Sequence, residues 1–106
     1  MIDHGLSEKT VKKIHEVLAA FPQVERAILF GSRAKGCAKR GSDIDLTLVG
    51  HDIDRALLSK LETELDDALL PYTFSLSSHA MLRDPDFLAH IARVGVVFFE
   101  RSADAA

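Results

Sequence analysis

Apolar residues change their spacing several times along the chain, and each change marks an expected element. Val11, Ile14, Leu18 and Phe21 recur at helical spacing while Lys12, Lys13 and Glu16 fall between them, which predicts a first helix with one apolar and one wet face. Ser7 is placed to cap its start through its hydroxyl, and Pro22 to end it, because the residue before proline avoids the α region. His15 rides on this helix as a surface or boundary residue. Val24 to Phe30 reads as a strand and Ile44 to Val49 as a second. Leu57, Leu58, Leu61, Leu65 and Leu69 then form a broad helical stripe through about residue 70, with Asp52 or Asp54 as its cap and Pro71 as its break.

From Tyr72 to Ser77 the period shortens to two. Tyr72, Phe74 and Leu76 take one face, and Thr73, Ser75 and Ser77 the other, the pattern of a half-buried strand. Asp84-Pro85-Asp86 starts a last helix with a cap, a proline at its first position and an acid in its first turn. Phe87, Leu88, Ile91 and Val94 give its apolar side, and Gly95 the position just past its end. Val96 to Phe99 closes the chain as a short strand ahead of a polar tail, with Phe98 and Phe99 on alternate faces, one buried and one open to an interface. A small mixed sheet of about four strands, with helices packed on one side, would bury these faces. The expectation is therefore an α+β fold in a single domain, residues 1–106.

Bulk properties narrow the function classes. The chain has 106 residues, 47% hydrophobic and 27% charged, as in an ordinary globular domain. Its net charge of −3 argues against non-specific coating of nucleic acid. No apolar run approaches the ~18 residues of a membrane span, and no export signal is apparent, which points to the cytoplasm. The single cysteine, Cys37, excludes an intramolecular disulfide and fits a reducing compartment. On the long helix, Glu62, Glu64, Asp66 and Asp67 read as a solvated face or an interaction surface rather than a catalytic pair.

The chemistry gathers between the first two strands. Ile28-Leu29-Phe30 stops at Gly31-Ser32, and from 31 to 42 there are four cations (Arg33, Lys35, Lys39, Arg40) and no acid. Ser42-Asp43-Ile44-Asp45 then opens the second strand, where side chains alternate, so both carboxylates face the same way. Backbone N–H groups and Ser32 suit phosphate oxygens, and paired carboxylates suit Mg²⁺. No Gly-x-x-x-x-Gly-Lys-Ser/Thr occurs, so a Walker A loop is excluded.

Gly31-Ser32-Arg33-Ala34-Lys35-Gly36 followed by Ser42-Asp43-Ile44-Asp45-Leu46 resembles the signature of the minimal nucleotidyltransferases of the DNA polymerase β superfamily. Leu70-Pro71-Tyr72 and the stretch from Asp86 to Gly95 look like the same family, so the resemblance covers nearly the whole chain. It implies the nucleotidyltransferase fold and ATP as nucleotide, held by Gly31, Ser32, Arg33, Lys35 and Ser42, with Mg²⁺ on Asp43 and Asp45. Free-standing members resemble the antitoxin half of two-gene toxin–antitoxin systems, which implies AMP transfer to a tyrosine of a HEPN-type toxin. So short a chain leaves the acceptor site to a partner or a second copy, so a homo- or hetero-oligomer is expected.

One position departs from the pattern. The family's third carboxylate follows the Leu-Pro-Tyr segment by about three residues, and here that position is Ser75. Serine is a weak, neutral ligand and no base near neutral pH. Water or His79 stands as a possible substitute. Two readings follow: an adenylyltransferase, or a catalytically disabled nucleotide-binding antitoxin that neutralises its partner by occlusion.

Overall fold

A computed structural model of the chain describes residues 6–31, 43–70 and 72–101. Three α-helices and four strands follow in the order α1 (Glu8–Ala19), β1 (Val24–Phe30), β2 (Ile44–Gly50), α2 (Arg55–Asp67), β3 (Phe74–Ser78), α3 (Pro85–Val94) and β4 (Val96–Glu100). A single 3₁₀ turn, His79–Met81, which the sequence did not announce, links β3 to α3. The sheet order is β3-β2-β1-β4, with β1 antiparallel to both β2 and β4, and β2 parallel to β3. This is the mixed four-stranded α+β arrangement that the hydrophobic pattern predicts.

The caps are those expected. Ser7 Oγ accepts from the Thr10 N–H (3.2 Å), Asp54 Oδ1 from the Leu57 N–H (2.9 Å) and Asp84 Oδ1 from the Asp86 N–H (3.0 Å). Ile14 and Leu18 of α1, Leu57, Leu61 and Leu65 of α2, Ala27 and Leu29 of β1, and Ile44, Leu46 and Leu48 of β2 are buried in one core. Alternation sends Ile28 and Phe30 to the opposite face, where α3 lies: the Phe30 and Phe87 rings meet edge-on at 5.4 Å. The helices therefore cover both faces, α1 and α2 on one and α3 on the other, correcting the expectation of one-sided packing. Ile28 and Phe30 make the second face of β1 apolar as well, and that face needs a cover of its own.

Other details also differ. Leu69 is 88% exposed, not part of the α2 stripe, because the helix ends at Asp67 and Leu69 turns left-handed with φ 56°. Gly95 is extended (φ −67°, ψ 144°) rather than left-handed; glycine is needed because a Cβ would overlap the Ile91 carbonyl and Ile28 Cγ2. Phe98 and Phe99 are both buried. A register shift between Ala27 and Ile28 breaks the alternation, pairing Ala27 with Phe99 but Ile28 with Val97. His15 contacts both phenylalanine rings edge-on, and its Nε2–H donates to the Phe98 carbonyl (2.6 Å). It is thus a boundary residue that fastens α1 to β4.

Candidate functional site

At the start of β2, three strands bring the sequence-predicted residues into one row. Phe30 pairs with Asp45 across β1 and β2, and Asp45 with Ser75 across β2 and β3. Paired residues point to the same side of a sheet, so Ser75 stands beside Asp45 on the face away from α1 and α2. Asp43 is exposed, one residue ahead of the strand. Its charge and that of Asp45 interact: the Asp45 carboxyl is held above the usual carboxylate range by burial first and by Asp43 second.

Gly31 closes the row from the β1 side. It turns the chain at φ 79°, a left-handed conformation that glycine reaches without strain. A Cβ there would collide with Oδ2 of Asp45. The glycine that ends β1 is therefore a backbone surface laid against the carboxylate, and both its conformation and its missing side chain are required. Ser32, Arg33, Lys35 and Ser42 lie outside the described residues, as does Cys37.

Two carboxylates close enough for one to oppose ionisation of the other suit a divalent cation, whose charge relieves the repulsion. Among the described residues no group of three or more His, Cys, Asp or Glu is placed to hold a metal. The donor set thus fits one ion completed by ligands from a substrate, and Ser75 leaves the third position neutral. His79 cannot stand in. It follows the far end of β3, four residues or roughly 13 Å along the strand from Ser75.

Behind this row lie two hydroxyls that sequence reasoning did not single out. Thr47 pairs with Ser77 on the same face, and Thr47 Oγ1 and Ser77 Oγ are both buried without a hydrogen-bond partner. The alternation put Ser77 on a wet face, but β2 and its cover enclose it. The signal available was Thr47 between the apolar residues Leu46 and Leu48.

Comparison with known proteins places this geometry. A chain of a toxin–antitoxin crystal structure with AMP-PNP superposes with a TM-score of 0.71 at 24% identity, over 89% of this chain and 76% of that one. A chain of a complex of tri-AMPylated Shewanella oneidensis HEPN toxin with MNT antitoxin gives 0.67 at 20% identity, over 94% and 77%. A chain of the toxin–antitoxin MntA-HepT gives 0.65 at 20% identity, over 92% and 76%. At these identities the likeness establishes the fold. No curated protein matches the chain. The family model described as Polymerase beta, Nucleotidyltransferase matches residues 12–104, so the row of Gly31, Asp45 and Ser75 sits in a chain that belongs to the polymerase β nucleotidyltransferase family.

Proposed function

We propose that this chain is an antitoxin that transfers AMP from MgATP to a hydroxyl of a partner protein, a HEPN-type toxin. The observation that carries the reading is the close approach of the left-handed Gly31 backbone to the Asp45 carboxylate, at the point where the chain leaves β1. In the reaction the acceptor oxygen bonds to the α-phosphorus, the bond from that phosphorus to the bridging β-oxygen breaks, and pyrophosphate leaves. The acceptor proton passes to water. Gly31, Ser32, Arg33, Lys35 and Ser42 are assigned to the nucleotide, and Asp43 and Asp45 to the metal. Mg²⁺, when bound, supplies the charge that neutralises the leaving pyrophosphate. Neighbouring folds occur in complexes with AMP-PNP and with an AMPylated HEPN toxin, which supports this choice of nucleotide and partner. The cytoplasm is the fitting compartment, and among the described residues no helix is long and apolar enough to cross a membrane.

Ser75 favours a second reading. Standing beside Asp45 in register, it offers neither a second-ion ligand nor a base, and loss of a general base lowers rates by ~10²–10⁴. In that case the protein silences its partner by occlusion.

Transfer of label from α-labelled ATP to a purified HEPN-type partner decides between them. The first reading expects label with the parent and none with Asp43→Ala, Asp45→Ala. If only Ser75→Asp transfers label, the pocket is intact and the parent acts by occlusion. Silence from every variant, with the partner bound, would sink the transfer reading.

A further inference from the structure

The face of the sheet that carries Asp45 holds two successive rows of paired residues. Phe30, Asp45 and Ser75 stand side by side on β1, β2 and β3. Two residues farther along β2, Ile28, Thr47 and Ser77 repeat the arrangement in register. Residues two apart on a strand share a face at a spacing of about 6.6 Å, and neighbouring strands lie about 4.8 Å apart. Asp45, Ser75, Thr47 and Ser77 therefore place an oxygen-bearing side chain at each corner of a small rectangle, walled on the β1 side by Phe30 and Ile28.

The two rows differ in their access to solvent. Ser75 is exposed, whereas Thr47 has no exposed surface and Ser77 Oγ is enclosed. Among the described residues neither hydroxyl of the inner row has a hydrogen-bond partner. A buried hydroxyl without a partner is penalised, and such groups are met by protein or by ordered water in the great majority of cases. Valine would fill the place of Thr47 with the same shape and no such penalty. The hydroxyl at this position needs a partner.

We propose that Thr47 and Ser77 hold an ordered water that also hydrogen-bonds the Asp45 carboxyl, which makes the two hydroxyls positioning residues for that carboxylate. A buried water typically makes about three hydrogen bonds to polar groups that otherwise lack partners, and these three side chains supply that number. Two hydrogen bonds of about 2.8 Å in series span about 5.6 Å, a reach that suits the step of about 6.6 Å between the rows. The water accepts from both hydroxyls and donates to the carboxyl. Oδ2 of Asp45 lies against the Gly31 backbone, which leaves Oδ1 as the acceptor. Held at both oxygens, the carboxyl keeps one orientation. The water site is independent of the transfer reading, while its effect on metal binding rests on the assignment of Asp45 to Mg²⁺.

The test separates shape from hydrogen bonding. Thr47→Val keeps the shape and removes the hydroxyl; Thr47→Ser keeps the hydroxyl and removes the methyl. Mn²⁺ alone is the probe, its affinity read from the paramagnetic resonance of the free ion, with urea unfolding of each variant alongside. A high-resolution crystal structure of the parent should show a water within hydrogen-bond reach of both hydroxyls and of Asp45. Thr47→Val should unfold at lower urea and bind Mn²⁺ about tenfold more weakly, the scale on which partners of metal ligands act. Ser77→Ala should weaken Mn²⁺ binding similarly, and the double variant by less than the two losses combined, because either change already removes the water. Thr47→Ser should keep the parental Mn²⁺ affinity. A Thr47→Val chain more stable than the parent overturns the proposal, since its hydroxyl then had no partner. So does Mn²⁺ affinity that Thr47→Val leaves unchanged or that Thr47→Ser loses equally, and so does a crystal structure without the water. If the parent binds no Mn²⁺ while the water is seen and Thr47→Val lowers the urea midpoint, the metal assignment fails and the water site stands.

Discussion

An aspartate partly withdrawn from water, with a second aspartate two residues away, resists ionisation, and Asp45 is in that position. Because its folded pKa lies above the ordinary 3.8, the native chain holds more protons than the unfolded chain between those two values. Stability contributed by the protonated form is thus present at low pH and lost as pH rises through the folded value. Asp45→Asn removes that loss. The variant should melt at a higher temperature than the parent near neutral pH without metal, and the gap should close below about pH 3.8. Equal melting curves across the range would show that the two carboxylates do not oppose folding. The residue pair itself was legible in the sequence as Asp43-Ile44-Asp45 at the start of a strand, although Asp43 falls just ahead of β2. The cost of bringing them together was not legible, since it depends on how much water the neighbouring strands exclude.

Element boundaries followed their local chemistry. Ser7, Asp54 and Asp84 cap the three helices because each accepts a hydrogen bond from an N–H that the helix leaves free, a requirement written within three residues of sequence. The end of α2 was harder to read. Pro71 suggested a break, but the helix stops at Asp67, and the left-handed position falls on Leu69 in place of the usual glycine. A leucine in that conformation is strained by roughly 1 kcal/mol, and here it gains nothing from burial. Leu69→Gly should therefore raise the urea midpoint, by up to about 1 kcal/mol in unfolding free energy. A lower midpoint would mean that the exposed leucine makes a contribution to the fold that its surroundings do not suggest.

The whole molecule is tied together by contacts that no local pattern announces. Arg101, read in the sequence only as part of a polar tail, donates from Nη2 to the carbonyls of Ala19 (3.2 Å) and Phe21 (3.1 Å) and from Nε to that of Val24 (3.2 Å). Its guanidinium also lies over the Phe99 ring, 5.9 Å from the centroid. It satisfies carbonyls at the end of α1 and locks β4 beside β1. Arg101→Ala should destabilise the chain by about 1–3 kcal/mol, and Arg101→Lys should recover only part of that, because an ammonium lacks the planar fork. Urea denaturation of the two variants checks this; full recovery by lysine would reduce the contact to simple charge. The sequence by itself determined the helices and strands, their caps and the Gly31 turn, because each depends on dihedral preference or periodicity over a few residues. Only the tertiary structure decided that Ser75 stands beside Asp45, that His79 is too far away to replace it, and that α3 covers the second face. Those facts depend on strand order and register, which are set when distant segments bury their apolar faces together.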